Sequence, residues 1–322
     1  MKKVIWGMIG CGDVTEKKTG PGLYKAEGSQ LRGVFNRTTK RAEDWVERHG
    51  HGQVYVTVEE MLADTAITAV YIATPPESHY GYAIQALKAG KAVLIEKPMA
   101  IRYEECRDII GLSEELQVPV FVNFYRRSLP KIQFIKSSLE EGAIGKPLTV
   151  SIRHFRQPEA SDYGQPLPWR LQLEAGGGKA LDTQVHVLDY LSYFFGHLTH
   201  MTGHALNNGG LYPVEDTTVA TLQFAKGVIG TATWCYVAGY DLDEVTITGT
   251  TGKIVFSGTG MSDITVNDTV HEMPEPEHVG LAFIQAVVDE LNGKDKSPAD
   301  VVGAALVTRW FEELLSNKSV IV

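Results

Sequence analysis

The feature that most constrains the fold is an apolar run at residues 4–9 that leads directly into Gly10-Cys11-Gly12-Asp13-Val14-Thr15. A strand ending on glycines and opening a helical pattern is the start of a βαβ unit, because glycine lets the chain turn tightly and lets backbone approach a phosphate. The pattern then repeats. Residues 30–35, 69–74, 92–95 and 118–122 are further apolar runs rich in β-branched residues, fit for strands covered on both faces. Helical patterns at 39–49, 58–63, 79–89 and 103–116 separate them, the third ended by Gly90. Each return through a helix makes the next strand parallel. The expectation is a doubly wound α/β domain over residues 1–123.

After Asn123 the texture changes. Residues 129–141 read as a helix ended by Gly142, and 148–155 as a strand. From 197 onward the segments are short and alternating. Residues 217–224 and 228–236 flank Ala225-Lys226-Gly227, and 244–248 and 253–257 flank Gly249-Thr250-Thr251-Gly252, which favours antiparallel hairpins. Two amphipathic helices follow, near 279–292 and 299–316, the second introduced by Ser297-Pro298. A chain of 322 residues exceeds the ~250–300 at which one core stops growing, so residues 124–322 are expected to form a second domain joined directly to the first.

Charge and cysteine content narrow the function. A net charge of −9 without a long basic block argues against a nucleic-acid partner, since duplex binding needs cations to displace counterions. No stretch reaches the ~20 apolar residues of a membrane span, and Met1-Lys2-Lys3 before a short apolar run does not make a signal peptide. Three separated cysteines, Cys11, Cys106 and Cys235, form neither a disulfide framework nor a zinc knuckle, so a cytoplasmic location is expected.

The residues able to carry chemistry fall at the carboxyl ends of the expected strands, where open α/β sheets bind ligands. Gly10, Gly12, Asp13 and Val14 would cradle a pyrophosphate, with Thr15 where a third glycine or alanine is usual. The second strand ends on Asn36-Arg37 and not on the acid that holds an NAD ribose, and both residues can bind a 2′-phosphate. NADP is favoured on that logic; the competing reading makes Arg37 a solvated loop cation and the cofactor NAD. Thr74-Pro75 closes the third strand, and His79 reads either as a ligand contact or as a first-turn residue of a helix. Glu96-Lys97-Pro98 follows the fourth strand. A lysine there can orient a substrate hydroxyl, or it is a solvated cation before a proline turn.

Further on, Gly176-Gly177-Gly178 precedes Asp182 and His186, whose spacing of four places both on one face of a helix. Oxidising an alcohol needs a base for the hydroxyl proton, and histidine beside a carboxylate suits that task. A helix-face Asp-His pair with no role has the same spacing. His197, His200 and His204 lack a carboxylate or cysteine at ligand spacing, so no metal site is expected. No G-x-S-x-G elbow or P-loop is present.

Taken together, Gly10-Cys11-Gly12, Ile72-Ala73-Thr74-Pro75 with His79, Gly90-Lys91, Glu96-Lys97-Pro98 and the glycine-rich Asp182…His186 segment resemble the Gfo/Idh/MocA oxidoreductases over essentially the whole chain. The resemblance implies a Rossmann domain followed by a C-terminal α+β domain on an open, mostly antiparallel sheet through which subunits form homodimers or homotetramers. It implies an NAD(P)-dependent dehydrogenase or reductase acting on a sugar, cyclitol or related polyol, with Lys97, Asp182 and His186 as the catalytic set. It further implies that Trp169-Arg170 approaches the nicotinamide end, that Glu96 and His79 belong to the cofactor site, and that Asn123 with Arg126 or Arg127 lines the substrate cleft. Thr15 and Asn36 depart from the family pattern, the second moving the cofactor toward NADP. Two alternatives stay open: a non-sugar substrate such as a trans-dihydrodiol or dicarbonyl, and a non-catalytic, cofactor-bound regulator on the same fold. Lys97, Asp182 and His186 standing together speaks against the regulator.

Overall fold

The computed structural model describes residues 3–175 and 177–316; Gly176 of the glycine run lies outside the described residues. Contacts divide the chain into two units, one made of Met1–Leu129 with Pro276–Ala305, the other of Pro130–Glu275 with the chain from Leu306 onward.

The first unit is built on six parallel strands, β1 (Val4–Ile9), β2 (Ser29–Phe35), β3 (Gln53–Val54), β4 (Ala69–Ile72), β5 (Ala92–Ile95) and β6 (Val120–Val122), in the order β3-β2-β1-β4-β5-β6. Their crossovers carry α1 (Gly22–Lys25), α2 (Thr39–His49), α3 (Val58–Ala63), α4 (His79–Lys88) and α5 (Tyr103–Leu116). Strand order reverses beside β1, so a ligand crevice is expected at the carboxyl ends of β1 and β4. All four residues of β4 and of β5 are buried, as continuous apolar runs require when helices cover both faces.

Three local differences from the sequence reading have physical causes. The helix expected after the glycine motif is instead a five-residue π-turn, Val14–Lys18, followed by the short α1. Thr19-Gly20-Pro21 separates them: Pro21 brings no N–H to continue a helix, and α1 opens on Gly22, where a side chain would come within 2.8 Å of Ile284. β4 stops at Ile72, two residues short of Thr74, as the chain leaves the sheet ahead of Pro75. β6 begins at Val120, since Pro119 cannot donate to the ladder.

The second unit holds α6 (Pro130–Glu140), α7 (Val185–Phe195) and eight strands: β7 (Pro147–Phe155), β8 (Leu198–Leu206), β9 (Thr217–Phe224), β10 (Ile229–Cys235), β11 (Leu242–Gly249), β12 (Lys253–Phe256), β13 (Ile264–Val266) and β14 (Thr269–His271). Their order is β14-β13-β12-β11-β7-β10-β9-β8, antiparallel throughout except for the β7–β10 pair. Period-two patterning gives the sheet one dry and one wet face. In β9, Ala220, Leu222 and Phe224 are buried while Val219, Thr221 and Gln223 are exposed. α7 covers the dry face, with Phe195 against Phe224 at 5.7 Å and Tyr190 against Phe256 at 6.0 Å between ring centroids.

Residues 276–305, expected in the second domain, return to the first unit. There α8 (Leu281–Leu291) buries Phe283, Ile284, Val287 and Val288, and its Gln285 accepts the Glu27 N–H at 2.7 Å. A helix pattern states that one face is apolar but not which core it joins, so the return was not legible. α9 (Val301–Ser316) starts two residues later than expected. Asp300 accepts the Gly303 N–H at 2.8 Å as its N-cap, while Ser297 bonds back to Glu290 at 2.6 Å. Among the described residues, no helix is long and apolar enough to cross a membrane.

Candidate active site

The glycine turn assigns different work to its two glycines. Gly10 has φ +103°, and a Cβ there would stand 2.5 Å from the Ala73 carbonyl oxygen, so only glycine fits between β1 and β4. Gly12 is exposed, and a Cβ on it would meet nothing nearer than that same oxygen at 3.9 Å. The space beside Gly12 is a cradle that a side chain would fill, which fits a pyrophosphate lying against the backbone of Gly12, exposed Asp13 and half-buried Val14. Thr15 takes the third position without disturbing the turn, because its buried hydroxyl donates to the Gly12 carbonyl at 2.7 Å.

At the end of β2, the Asn36 Oδ1 accepts the Thr38 N–H at 2.9 Å, and its side chain also bonds the Cys11 thiol. Asn36 therefore joins the glycine turn to the β2 end. Burial pushes the Cys11 thiol up to about 12, so it stays protonated at neutral pH. Arg37 is exposed, and Arg41 on α2 is close enough to Cys11 to act on it electrostatically. The sequence reading did not single out Arg41, since a basic residue on an exposed helix turn carries no signal of its own.

Beyond β4, β5 and β6 the structure gathers five of the expected residues into two hydrogen-bonded groups, His79 with the Thr74 and Pro98 carbonyls and Glu96 with Asn123 and the Lys97 N–H, which meet at the Lys97-Pro98 peptide. His79 is completely buried, with Nδ1 on the Pro98 carbonyl and Nε2 on the Thr74 carbonyl, both at 2.8 Å. Both its nitrogens thus face main chain. Burial lowers its pKa against the pull of the two carbonyls. Glu96 is buried, and its Oε1 accepts from the Tyr71 hydroxyl and from Asn123 Nδ2, both at 2.5 Å. Asn123 Nδ2 also reaches the Thr19 hydroxyl at 2.9 Å, whereas its Oδ1 is a buried acceptor with no partner among the described residues. Burial raises the Glu96 carboxyl and lifts the Tyr71 phenol well above its ordinary range. Tyr71 and Thr19 were missed by sequence, because Tyr71 lies inside an apolar strand run and Thr19 in a loop. Lys97, half-buried, follows Glu96 directly.

Arg127, expected in the substrate cleft, is 3% exposed; its guanidinium donates to the Pro298 carbonyl at 3.0 Å and lies 3.8 Å from Asp300. It holds the segment that starts α9.

In the second unit, Trp169 and Arg170 stand on a 3₁₀ turn, Trp169–Leu171, that folds back onto the glycine run. The Gly178 N–H donates to the Arg170 carbonyl and the Gly177 N–H to the Gln172 carbonyl, both at 2.9 Å. A Cβ at Gly177 would stand 2.5 Å from the Trp169 oxygen, and one at Gly178 would stand 3.0 Å from Glu215 Oε1. These two glycines admit the chain's own backbone and Glu215. Asp182 lies in a π-turn, Ala180–Gln184, that feeds into α7, where His186 is the second residue. The pair therefore spans a π-to-α junction, not one regular helix. Asp182 is half-buried and His186 buried. His200 and His204 are exposed on β8, and among the described residues no group of three His, Cys, Asp or Glu could hold a metal ion.

Comparisons with known proteins bear on the fold of both units. Residues 4–124 match a model described as an oxidoreductase family with an NAD-binding Rossmann fold, and residues 132–255 match the GFO/IDH/MocA C-terminal domain. Oxidoreductase P35 of Formosa agariphila is 33% identical over 311 residues, covering 95% of this chain and 96% of that protein. The 1,5-anhydro-D-fructose reductase of Ensifer adhaerens is 27% identical over 260 residues, 78% of this chain and 74% of that one. The crystal structure of an oxidoreductase from Thermotoga maritima has a TM-score of 0.85 at 25% identity, covering 98% of this chain and 96% of that one.

Proposed function

The chain belongs to the GFO/IDH/MocA oxidoreductase family, and we propose that it interconverts a carbinol and a carbonyl carbon of a sugar, cyclitol or related polyol, with NADP as the preferred cofactor. The observation that carries the proposal is the placement of Gly10, Thr74 and Lys97 just beyond three adjacent parallel strands, β1, β4 and β5, at the ligand end of the sheet. Likeness to a 1,5-anhydro-D-fructose reductase supports the sugar class. The nicotinamide, when bound, takes or supplies the hydride.

The chain's own residues handle oxygen and proton. Lys97 orients and polarises the reacting oxygen as a fixed cation. His186 takes the hydroxyl proton during oxidation and returns it during reduction, and Asp182 orients His186 and contacts the substrate. Trp169 and Arg170 border the nicotinamide end. Asn123 and Arg127 shape the site from behind, since both side chains are buried in internal hydrogen bonds. Arg37, with Arg41 behind it, binds the 2′-phosphate. The wet face of the eight-stranded sheet forms the contact between subunits, and a reducing, cytoplasmic setting suits three cysteines that no disulfide joins.

The test is tryptophan quenching with NADPH and NADH, followed by a 340 nm screen of sugars, cyclitols and dicarbonyls. NADPH is expected to bind at least tenfold tighter, and Arg37→Ala to remove most of that difference. Lys97→Ala and His186→Ala should each cut turnover by orders of magnitude with cofactor affinity held within a few fold. Tighter NADH binding that ignores Arg37 overturns the cofactor assignment. Binding without turnover of anything overturns the enzymatic one.

A further inference from the structure

His79 spans two main-chain oxygens that belong to the ends of neighbouring strands. Its Nε2 stands 2.8 Å from the Thr74 carbonyl, just beyond β4, and its Nδ1 stands 2.8 Å from the Pro98 carbonyl, just beyond β5. β4 and β5 pair directly, so the ring bridges two segments that leave the ligand end of the sheet side by side. One of them carries Lys97, the residue before Pro98. The ring itself is fully buried and cannot touch a bound ligand.

The two partners set the chemistry of the ring. A carbonyl oxygen only accepts, and a neutral imidazole has a single N–H, so it satisfies one carbonyl and turns a bare nitrogen toward the other. Lone pairs that face each other at 2.8 Å repel. Contacts this short on both sides are those of an imidazolium, in which both nitrogens donate. Burial opposes that charge, and so does the Lys97 cation, which together hold the ring below its ordinary 6.5 against the pull of the two carbonyls. The acids on the surrounding elements are exposed or engaged elsewhere. Glu77 on the turn before α4 is exposed, Glu96 accepts from Tyr71 and Asn123, and on α5 Asp108 accepts the Tyr80 hydroxyl while Glu105 pairs with Arg102.

The Thr74 side of the bridge has a second support. The Ser78 hydroxyl donates to the Thr74 hydroxyl at 2.7 Å, and the Ser78 N–H donates to the Pro75 carbonyl at 3.1 Å. The end of β4 is thus a fixed post to which the ring can tie the Lys97-Pro98 peptide.

We propose that His79 is a positioning residue for Lys97 whose grip depends on a proton: as an imidazolium it bonds both carbonyls and ties the Lys97-Pro98 peptide to the end of β4, and as a neutral imidazole it lets one of them go. Its bearing on catalysis rests on the reading of Lys97 as the group that polarises the reacting oxygen.

The experiment is a pH titration of the full-length, cofactor-free protein carrying isotope-labelled histidine, followed by NMR of the ring nitrogens. It is paired with amide hydrogen exchange of the segment around Lys97 and Met99, expressed as a protection factor so that the intrinsic pH dependence of exchange drops out. At pH 5 both His79 nitrogens are expected to be protonated, and at pH 8 only one. Protection of the segment should fall at least threefold between the two, with the midpoint of the ring titration, while protection of β1 stays level. In His79→Asn, which gains no proton in this range, the step in protection should vanish. A His79 ring that does not titrate between pH 5 and pH 8 overturns the proposal. So does a ring that titrates while the segment keeps its protection, or a loss of protection that extends to β1, since a residue that merely fills space would give those results. If His79→Asn does not fold, the ring is assigned through its own backbone and the wild-type titration decides alone. Lys97→Ala with undiminished turnover of a substrate found in the 340 nm screen overturns the functional reading of Lys97 instead and leaves the clamp standing.

Discussion

Gly10 and Gly12 stand two positions apart in one motif, yet they answer to different demands. Gly10 is fixed by backbone: its positive φ and the Ala73 oxygen 2.5 Å from a would-be Cβ leave no room for a side chain. Gly10→Ala is expected to destabilise the protein by about 2–3 kcal/mol, measured by thermal or denaturant unfolding. Gly12→Ala meets only open space, so stability should stay within about 0.5 kcal/mol while NADPH binding weakens at least tenfold. Equal loss of stability in both variants would show that Gly12 serves the fold and not a ligand. Sequence indicated that both positions need glycine but could not separate the two reasons. The same holds at Gly177, which the sequence shows only as one of three glycines before Asp182 and which the structure sets against the Trp169 and Gln172 carbonyls. Sequence neighbours identify a residue type; only the folded chain shows what stands opposite it.

Among elements, the π-turn Val14–Lys18 is secured by α2 rather than by its own length. Glu16 on the turn takes a bidentate contact from Arg48, at 2.6 and 2.9 Å, and accepts from His49 at 3.0 Å. The Arg48 guanidinium, helped by His49, draws the Glu16 carboxyl down to about 2 from its ordinary 4.5, against some opposing burial. A carboxyl whose folded value is depressed stabilises the fold above its unfolded value and loses that effect as pH falls toward the folded one. Wild type should therefore melt a few degrees above Glu16→Gln at pH 6, with the gap narrowing steadily from pH 4.5 downward. A gap that is constant with pH would mean that the pair contributes by packing alone. Elements with long, regular patterns were legible in the sequence: β1, α2, α3, β5, α5 and β9 have the expected limits. Exceptions lie where Pro21, Pro75 and Pro119 interrupt the backbone, where a π-turn replaces an α-turn, at α9 with its Asp300 cap, and at β3, β13 and β14, which are two or three residues long and too short to show a period.

At the scale of the whole molecule, the wet face of the second sheet is the surface with the most to gain from a partner. Val219 and Ile229 are 48% and 55% exposed on it, among Thr202, Thr221 and Thr231. The Arg153–Glu244 pair on this face is already joined at 2.6 Å between β7 and β11, so covering it need not strip two lone charges, which suits a subunit contact. Light scattering behind size exclusion is expected to give a dimer or tetramer, and Val219→Asp with Ile229→Asp to reduce it to a monomer that still binds NADPH. A wild-type monomer at micromolar concentration would remove this face from the assembly. The return of residues 276–305 to the first unit has a further consequence, one of timing. On the ribosome the six-stranded sheet is complete once β6 has emerged at Val122, but α8, which buries four apolar residues in that unit, begins only at Leu281, about 160 residues later. At about 5–20 residues per second that is a delay of roughly 8–30 s. During it, the strip around Gly22 that Ile284 will cover faces water, so the nascent chain passes through a stage that invites chaperone contact before its first unit can close.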